Sequence, residues 1–164
     1  MKKGLLLGLL AICGIAYSAD TTMEVSAKVV GSALEVETTA VNFGEIARNA
    51  RKEQPDSSGK ISISGDANSR VSVTILNTYN GIADGEVVLS RVADPSDYRK
   101  LKYNPTYTVD GSQTTASNLQ YTGLTLDGSG NKEINVAGTL EAPQDLELGD
   151  YSAQMTIKVA YQLQ

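Results

Sequence analysis

The sequence contains no histidine and only one cysteine among its 164 residues. Without histidine, the chain has no imidazole general base, no imidazole metal ligand and no Ser-His-Asp arrangement. Cys13 lies in an apolar N-terminal run that we expect to be removed, so the mature chain has neither disulfides nor reactive thiols. Residue spacing leaves paired-carboxylate glycoside hydrolysis open, but no catalytic constellation is identifiable. We therefore expect no enzymatic activity, no metal site and no cofactor.

The N-terminal residues indicate export. Two lysines precede an apolar run over residues 4–15, which is too short to span a bilayer comfortably and is typical of a signal peptide. The small residues Ala16 and Ser18 predict cleavage after Ser18. In the alternative interpretation Cys13 is the lipidated first residue of a lipoprotein, but Ile12 is bulky where a small residue is required.

The mature chain is acidic. The sequence has 14 basic and 19 acidic residues, and two of the lysines lie in the predicted signal peptide, so the mature net charge is 12 − 19 = −7. An acidic protein without a basic stripe binds nucleic acid poorly and is repelled by anionic lipid. No second apolar stretch is long enough to span a membrane. Removing 18 residues from 164 leaves 146, a length typical of one domain.

Short apolar or alternating segments recur between turn residues, and helical periodicity is nearly absent. This pattern predicts an all-β fold, and the number of segments favours a sandwich. We expect a long loop over residues 48–59, and a turn or one helical turn over residues 94–100. The predicted strands are 21–30, 33–38, 60–64, 71–76, 86–92, 102–109, 119–122, 132–140 and 151–161.

Two further patterns are candidate binding sites. Residues 127–131 place side-chain oxygens at alternate positions, as calcium loops do, but they lack the spacing of an EF-hand and favour a polar turn. Several tyrosines offer a sugar-binding surface, although tyrosines scattered through strands more often pack against neighbours. Carbohydrate binding is therefore the weaker interpretation. The tyrosines concerned are Tyr79, Tyr98, Tyr103, Tyr107 and Tyr121.

The C-terminal segment alternates without interruption. Residues 151–161 predict one strand on the order of 36 Å long, with one apolar face, inside a sheet rather than at its edge. Only three residues follow residue 161 in the sequence, so we expect no later segment to pair with one side of this strand. The apolar face comprises Tyr151, Ala153, Met155, Ile157, Val159 and Tyr161.

The N-terminal segment of the mature chain shows the same alternation. It precedes Val30-Gly31-Ser32, which we interpret as a hinge, and the next strand follows with Leu34 and Val36. Residues 21–30 are either the first strand of the domain itself or a strand that pairs with a neighbouring subunit. The inward positions of this segment are Thr21, Met23, Val25, Ala27 and Val29.

The C-terminal pattern carries a family resemblance. Gly149 and Tyr161 are twelve positions apart, apolar residues alternate between them, and Gln162 follows. This arrangement resembles the end of the structural subunits, or pilins, of chaperone-usher fimbriae, in their cysteine-free branch. The family's tyrosine is usually penultimate, whereas two further residues come after Gln162 here. The resemblance covers the mature chain in layout but only about fifteen residues in motif.

The resemblance implies an immunoglobulin-like β-sandwich that is incomplete and is completed by a donor strand from a neighbouring subunit. Residues 1–18 would then be the signal peptide, 19–31 a donor-strand extension and 32–164 the pilin domain. Exchanging strands between subunits would pair an open sheet edge and cover an apolar groove. The implied acceptor groove comprises Leu34, Val36, Met155, Ile157, Val159 and Tyr161.

The resemblance also implies partners and a location. The partners are other copies of the chain or related pilins, a periplasmic chaperone, an outer-membrane usher and host-surface glycans, with no nucleic acid. The location is the cell surface, in fimbriae, after passage through the periplasm. The alternative is a secreted immunoglobulin-like surface or coat protein that is complete in itself and binds carbohydrate or matrix as a monomer.

Overall fold

The computed structural model describes residues 32–77, 81–94 and 101–162. Over these residues the chain forms eleven strands and one short helix. In chain order they are β1 (Glu35–Thr39), β2 (Ala50–Lys52), β3 (Gly59–Ser64), β4 (Arg70–Leu76), β5 (Val87–Arg91), β6 (Leu101–Val109), β7 (Ser112–Thr114), α1 (Ala116–Tyr121), β8 (Leu124–Thr125), β9 (Asn131–Ala142), β10 (Tyr151–Ser152) and β11 (Thr156–Tyr161).

The strands form two antiparallel sheets. The larger has the order β1-β3-β9-β6-β5-β10, with β2 pairing with β9 and β7 pairing with β6. The smaller has the order β11-β4-β8. Inward-facing residues of both sheets form one core, so that the sheets face each other as an immunoglobulin-like sandwich. The all-β prediction is confirmed.

The core follows from strict alternation in the central strands. Val71, Val73 and Ile75 of β4 are fully buried, while the residues between them are half-buried. In β3, Ile61 and Ile63 are buried in the same way. Because successive side chains of a strand point to opposite faces, this spacing directs every second residue into the sandwich. The predicted strands 60–64 and 71–76 are confirmed.

Two buried tyrosines and one phenylalanine fix the middle of the core. Tyr107 donates its hydroxyl hydrogen to the carbonyl of Ala83 at 2.8 Å, and Tyr103 donates to the carbonyl of Ala137 at 2.6 Å. Phe43 packs edge-on against Tyr103, with ring centroids 5.5 Å apart. Each phenol thus finds a hydrogen-bond partner while its ring contributes apolar contact.

A tight hairpin projects from the larger sheet between β6 and β7. Asp110 and Gly111 both have positive φ, 49° and 78°, as a type I′ turn requires at its two central residues. The flanking residues Val109 and Ser112 pair directly. Lys132 forms an ion pair with Asp110 at the base of the turn.

Two predicted segments have a secondary structure different from the one predicted. Residues 119–122 are not a strand but lie at the end of α1. The side-chain oxygen of Thr115 accepts a hydrogen bond from the N–H of Asn118, which caps the helix, and Gly123 follows with φ 73°. The loop predicted for residues 48–59 contains β2, which pairs with the end of β9. The segments predicted for residues 21–30 and 95–100 lie outside the described residues.

The predicted strand over residues 151–161 is wrong in length and in position. It is divided into β10, which pairs with β5 of the larger sheet, and β11, which pairs with β4 of the smaller. Residues 153–155 cross from one sheet to the other. The alternation of burial is interrupted in the crossing, where Ser152, Ala153 and Gln154 are all exposed, and resumes at the half-buried Met155. At six residues, β11 is about 20 Å long.

Candidate functional site

Two edge strands border the candidate site. Within the described residues, β1 pairs only with β3 and β11 pairs only with β4, so each is the last strand of its sheet. The prediction that the final strand lies inside a sheet is therefore wrong for the described chain. The backbone groups on the open sides of β1 and β11 have no strand partner there, and such edges readily pair with another chain. We call the space between β1 and residues 151–161 the edge groove.

The inner face of β11 is apolar and only half-covered. Ile157, Val159 and Tyr161 are half-buried and pack against the core, whereas the alternate residues Thr156 and Lys158 are exposed. In the pairing with β4, Ile157 lies opposite Ile75 and Val159 opposite Val73. The predicted inward and outward faces are confirmed for this strand. Its inner row stays partly accessible because no strand follows on the groove side within the described residues.

One end of the edge groove opens into a cleft of about 520 Å³, here called the main cleft. Core residues such as Ile61 and Tyr103 form its floor, and the chain after β1 forms one wall. The opposite wall is the crossing segment between β10 and β11. The lining side chains are mostly apolar, which suits alternate apolar side chains of an extended segment. Apart from the floor already named, the lining comprises Thr38, Thr39, Ala40, Val41, Phe43, Val87, Leu89, Val136, Tyr151, Ser152, Ala153, Met155 and Ile157.

A second cleft of about 640 Å³ adjoins the main cleft. The two share Val41, Phe43, Leu89 and Tyr151, so the main cleft continues into this second cleft, whose lining also includes the charged residues Glu45, Arg48, Glu147 and Asp150. Leu148, at its rim, is 75% exposed.

The other end of the edge groove is closed by a hydrogen-bonded cluster, which we call the Asp66 clamp: Ser32, Asp66 and Tyr161. The Ser32 N–H donates to both carboxylate oxygens of Asp66, at 3.1 and 3.0 Å, and the Ser32 hydroxyl donates to the same carboxylate. The Asp66 N–H donates to the Tyr161 hydroxyl oxygen at 2.8 Å. The hydrogen bonds from Ser32, the hydroxyl first, hold the pKa of Asp66 below its usual value.

The predicted acceptor residues are distributed along this groove. Met155 and Ile157 line the main cleft. Leu34, Val159 and Tyr161 pack against the core but do not line that cleft. The predicted donor residues Thr21, Met23, Val25, Ala27 and Val29 lie outside the described residues, and their role stays a prediction.

Three other predicted residues lie outside the main cleft. Val36 is on the exposed edge strand β1, with 39% of its surface accessible. Gly149 is exposed and has φ 145°, and a side chain there would meet Arg91. The N–H of Gln162 donates to the carbonyl of Arg70 at 2.9 Å, which extends the contact between β11 and β4 by one residue.

The sequence interpretation missed one wall of the main cleft. Val41 and Phe43 alternate with each other after β1 but are out of phase with Leu34 and Val36, and Leu89 lies on β5. The spacing of Val41 and Phe43, two apolar residues that alternate just before a polar stretch, could have identified them from the sequence as inward-facing residues. Leu89 had no such signal, since its place at the cleft depends on how the sheets pack.

The other sequence candidates have ordinary structural roles. Tyr103 and Tyr107 are 5% and 1% exposed, and burial raises the pKa of both phenols, so neither belongs to a sugar-binding surface. Tyr121 is 73% exposed. Tyr79 and Tyr98 lie outside the described residues.

Residues 127–131 form the polar turn that the sequence predicted. The N–H groups of Ser129 and Asn131 donate to one carboxylate oxygen of Asp127 at 2.8 and 2.9 Å. Among the described residues, no group of three or more potential metal ligands comes together. In the same ranges, no helix is long and apolar enough to cross a membrane.

Comparison with known proteins finds similar folds but no sequence relatives. No family model matches the chain, and no curated sequence does. A chain from the chaperone-tip adhesin complex of CFA/I fimbriae biogenesis aligns with TM-score 0.45 and 13% identity, over 79% of this chain and 42% of that one. The P pilus rod subunit PapA aligns with TM-score 0.46 and 12% identity, over 86% of this chain and 100% of that one.

The present chain thus spans less than half the length of the first of these proteins. At 12–13% identity the likeness concerns the fold, which the strand pairing already defines.

Proposed function

We propose that this chain is a structural subunit of an adhesive fimbria that polymerises by donor-strand exchange. The observation that carries the proposal is the edge groove. It combines two strands with open backbone edges, a half-covered apolar row on β11 and an apolar cleft of about 520 Å³. An extended segment with alternating apolar side chains satisfies all three at once, because it pairs its backbone and buries every second side chain.

Residues 21–30 supply such a segment. The larger of their inward side chains, Met23, Val25 and Val29, each contribute about 1.5 to 3 kcal/mol when fully buried. The segment precedes Ser32, which the Asp66 clamp holds at the end of the groove opposite the main cleft. In this proposal the segment of each copy fills the groove of one neighbour, and its own groove is filled by the segment of the next copy, so that the contact is heterologous and the assembly open-ended.

The proposed route of delivery follows from the same exposed surface. An open edge beside an apolar cleft promotes aggregation in a free subunit. A periplasmic chaperone that lends a strand, and an outer-membrane usher that receives the subunit, would cover this edge until a second subunit replaces the chaperone. The proposed location is therefore the cell surface, in fimbriae, reached through the periplasm.

Truncation and peptide addition test this function. The domain without residues 19–30 is prepared, and its mass and melting temperature are measured with and without a peptide copying residues 21–30. We expect a monomer that the peptide stabilises. A peptide carrying Val25→Arg should not stabilise the domain, because it would place a charge against the apolar groove. A peptide carrying Glu24→Gln on the outer face should act like the original.

Two results would contradict the proposed function. One is a truncated domain that polymerises without peptide. The other is a full-length mature chain that stays monomeric and fully stable without chaperone or peptide, as expected for a self-contained surface protein that binds carbohydrate or matrix.

A further inference from the structure

The Asp66 clamp joins two parts of the chain that the proposed function assigns to different contacts. Ser32 is at the root of the proposed donor segment, and Tyr161 is the last inner-face residue of β11, on the proposed acceptor groove. Asp66 lies in the turn between β3 and β4 and contacts both, through its carboxylate on one side and its backbone N–H on the other. Asp66 therefore connects Ser32, where the proposed donor segment joins the domain, to the proposed acceptor groove of the same subunit.

The packing around the clamp leaves little room for independent movement. At Gly65, the position of an added Cβ would lie 2.6 Å from the Tyr161 hydroxyl oxygen and 2.7 Å from a methyl carbon of Leu34. The residue before Asp66 thus lies close to both Leu34, two residues after Ser32, and Tyr161 of β11. The Gly65 N–H is itself fixed by the carbonyl of Gly130, at 2.9 Å.

We propose that Asp66 is a positioning residue that couples the acceptor groove to the donor segment of the same subunit. The proposal rests on the donor-strand function above. A strand inserted along β11 contacts the ring of Tyr161 and restrains it. The Tyr161 hydroxyl then holds the Asp66 backbone, and the carboxylate holds Ser32 where the donor segment begins. A filled groove therefore orders the root of the segment that the next contact uses.

Thermodynamic linkage makes this coupling measurable from both sides. If an inserted strand stabilises the clamp, then the clamp must strengthen strand binding by the same factor. Loss of one hydrogen bond corresponds to roughly a two- to tenfold change in an equilibrium constant. Removing the Asp66 carboxylate or the Tyr161 hydroxyl should therefore weaken strand binding by a factor in that range.

The test uses the mature chain carrying Val25→Arg, which cannot donate its own segment, and a peptide copying residues 21–30. The peptide should slow hydrogen exchange at the Ser32 amide two- to tenfold, and Asp66→Ala should remove this effect and weaken peptide binding by the same factor. Tyr161→Phe keeps the ring in the groove and should have the same two effects. The double variant should lose no more peptide affinity than either single variant, because the two substitutions break the same hydrogen-bonded network.

A matched control separates this role from a general effect of charge. Glu53→Ala removes an exposed carboxylate between β2 and β3 that does not line the main cleft, and both readouts should stay unchanged. If Asp66→Ala does not fold, Tyr161→Phe supplies the same measurements. The inference is wrong if the peptide binds but neither variant alters its affinity or the exchange at Ser32. If the peptide does not bind the Val25→Arg chain at all, the proposed function and the inference both fail.

Discussion

Replacing Ala153 by aspartate should block assembly without unfolding the domain. Ala153 is exposed and at the same time lines the main cleft. In the free subunit the new carboxylate would be solvated, and substitutions at such surface positions change the free energy of unfolding by no more than about 0.5 kcal/mol. In the assembled subunit an inserted strand would cover it and leave a charge without a partner.

The expected loss follows from the chemistry of the main cleft. An inserted apolar side chain contributes about 1.5 to 3 kcal/mol, and an unpaired buried charge costs more than the 1 to 3 kcal/mol of an unsatisfied neutral group. A net loss of about 3 kcal/mol weakens peptide binding by about two orders of magnitude. Because the lining around Ala153 is mostly apolar, no cation from the wall is positioned to offset the charge.

The assay compares Ala153→Asp with Thr156→Asp. Thr156 is also exposed and close in sequence, but it lies on the outer face of β11 and does not line the main cleft. Peptide affinity is measured by titration and stability by thermal unfolding. We expect both variants to melt near the temperature of the unmodified domain and only Ala153→Asp to lose the peptide. Equal affinities for the two variants would refute the assignment of the main cleft to strand binding.

Three further results are expected. Ile157→Asp should prevent accumulation of the protein, because it places a carboxylate on the half-buried inner face of β11, whereas Lys158→Glu on the exposed face should not; normal accumulation of both would refute the assignment of faces. Intact-mass measurement of the exported protein should give a chain beginning at residue 19 or 20, and a lipidated species beginning further upstream would contradict this. Stability should fall as the pH rises above about 10, because burial raises the pKa of Tyr103 and Tyr107 in the folded state, so the unfolded chain releases phenol protons that the folded chain keeps. The free energy of unfolding measured as a function of alkaline pH checks this. Tyr107→Phe should reduce the loss of stability as the pH rises.

Strict alternation made the core strands predictable from the sequence. In β4 and β9, inward apolar residues and outward polar residues repeat every second position, so local sequence and final burial agree. The helix α1 was missed because Leu119 and Tyr121 suit a strand equally well. Ala116 and Leu119, three positions apart, are both buried, and the cap at Thr115 fixes the helical start. The helix forms because it buries Ala116 and Leu119 in the tertiary structure, which the local sequence alone does not reveal.

The division of the last strand had no local signal. The same apolar alternation runs through β10, the crossing and β11, and only the pairing with β5 and β4 separates them. The sequence thus predicted an inward row that includes Met155 and Ile157, both at the main cleft. It did not predict Leu89, because the neighbours of a residue across a sandwich depend on long-range packing.

The hairpin between β6 and β7 offers a place to carry foreign sequence. Gly111 is exposed, and a side chain there would meet no heavy atom within 4 Å. Exposed turn tips of this kind tolerate insertions, because the added residues disturb neither core packing nor the strand ladder. A short peptide placed after Gly111 would be displayed once per subunit. In the polymer proposed above, that display would become a regular, multivalent array whose avidity for a bivalent antibody exceeds that of any single copy.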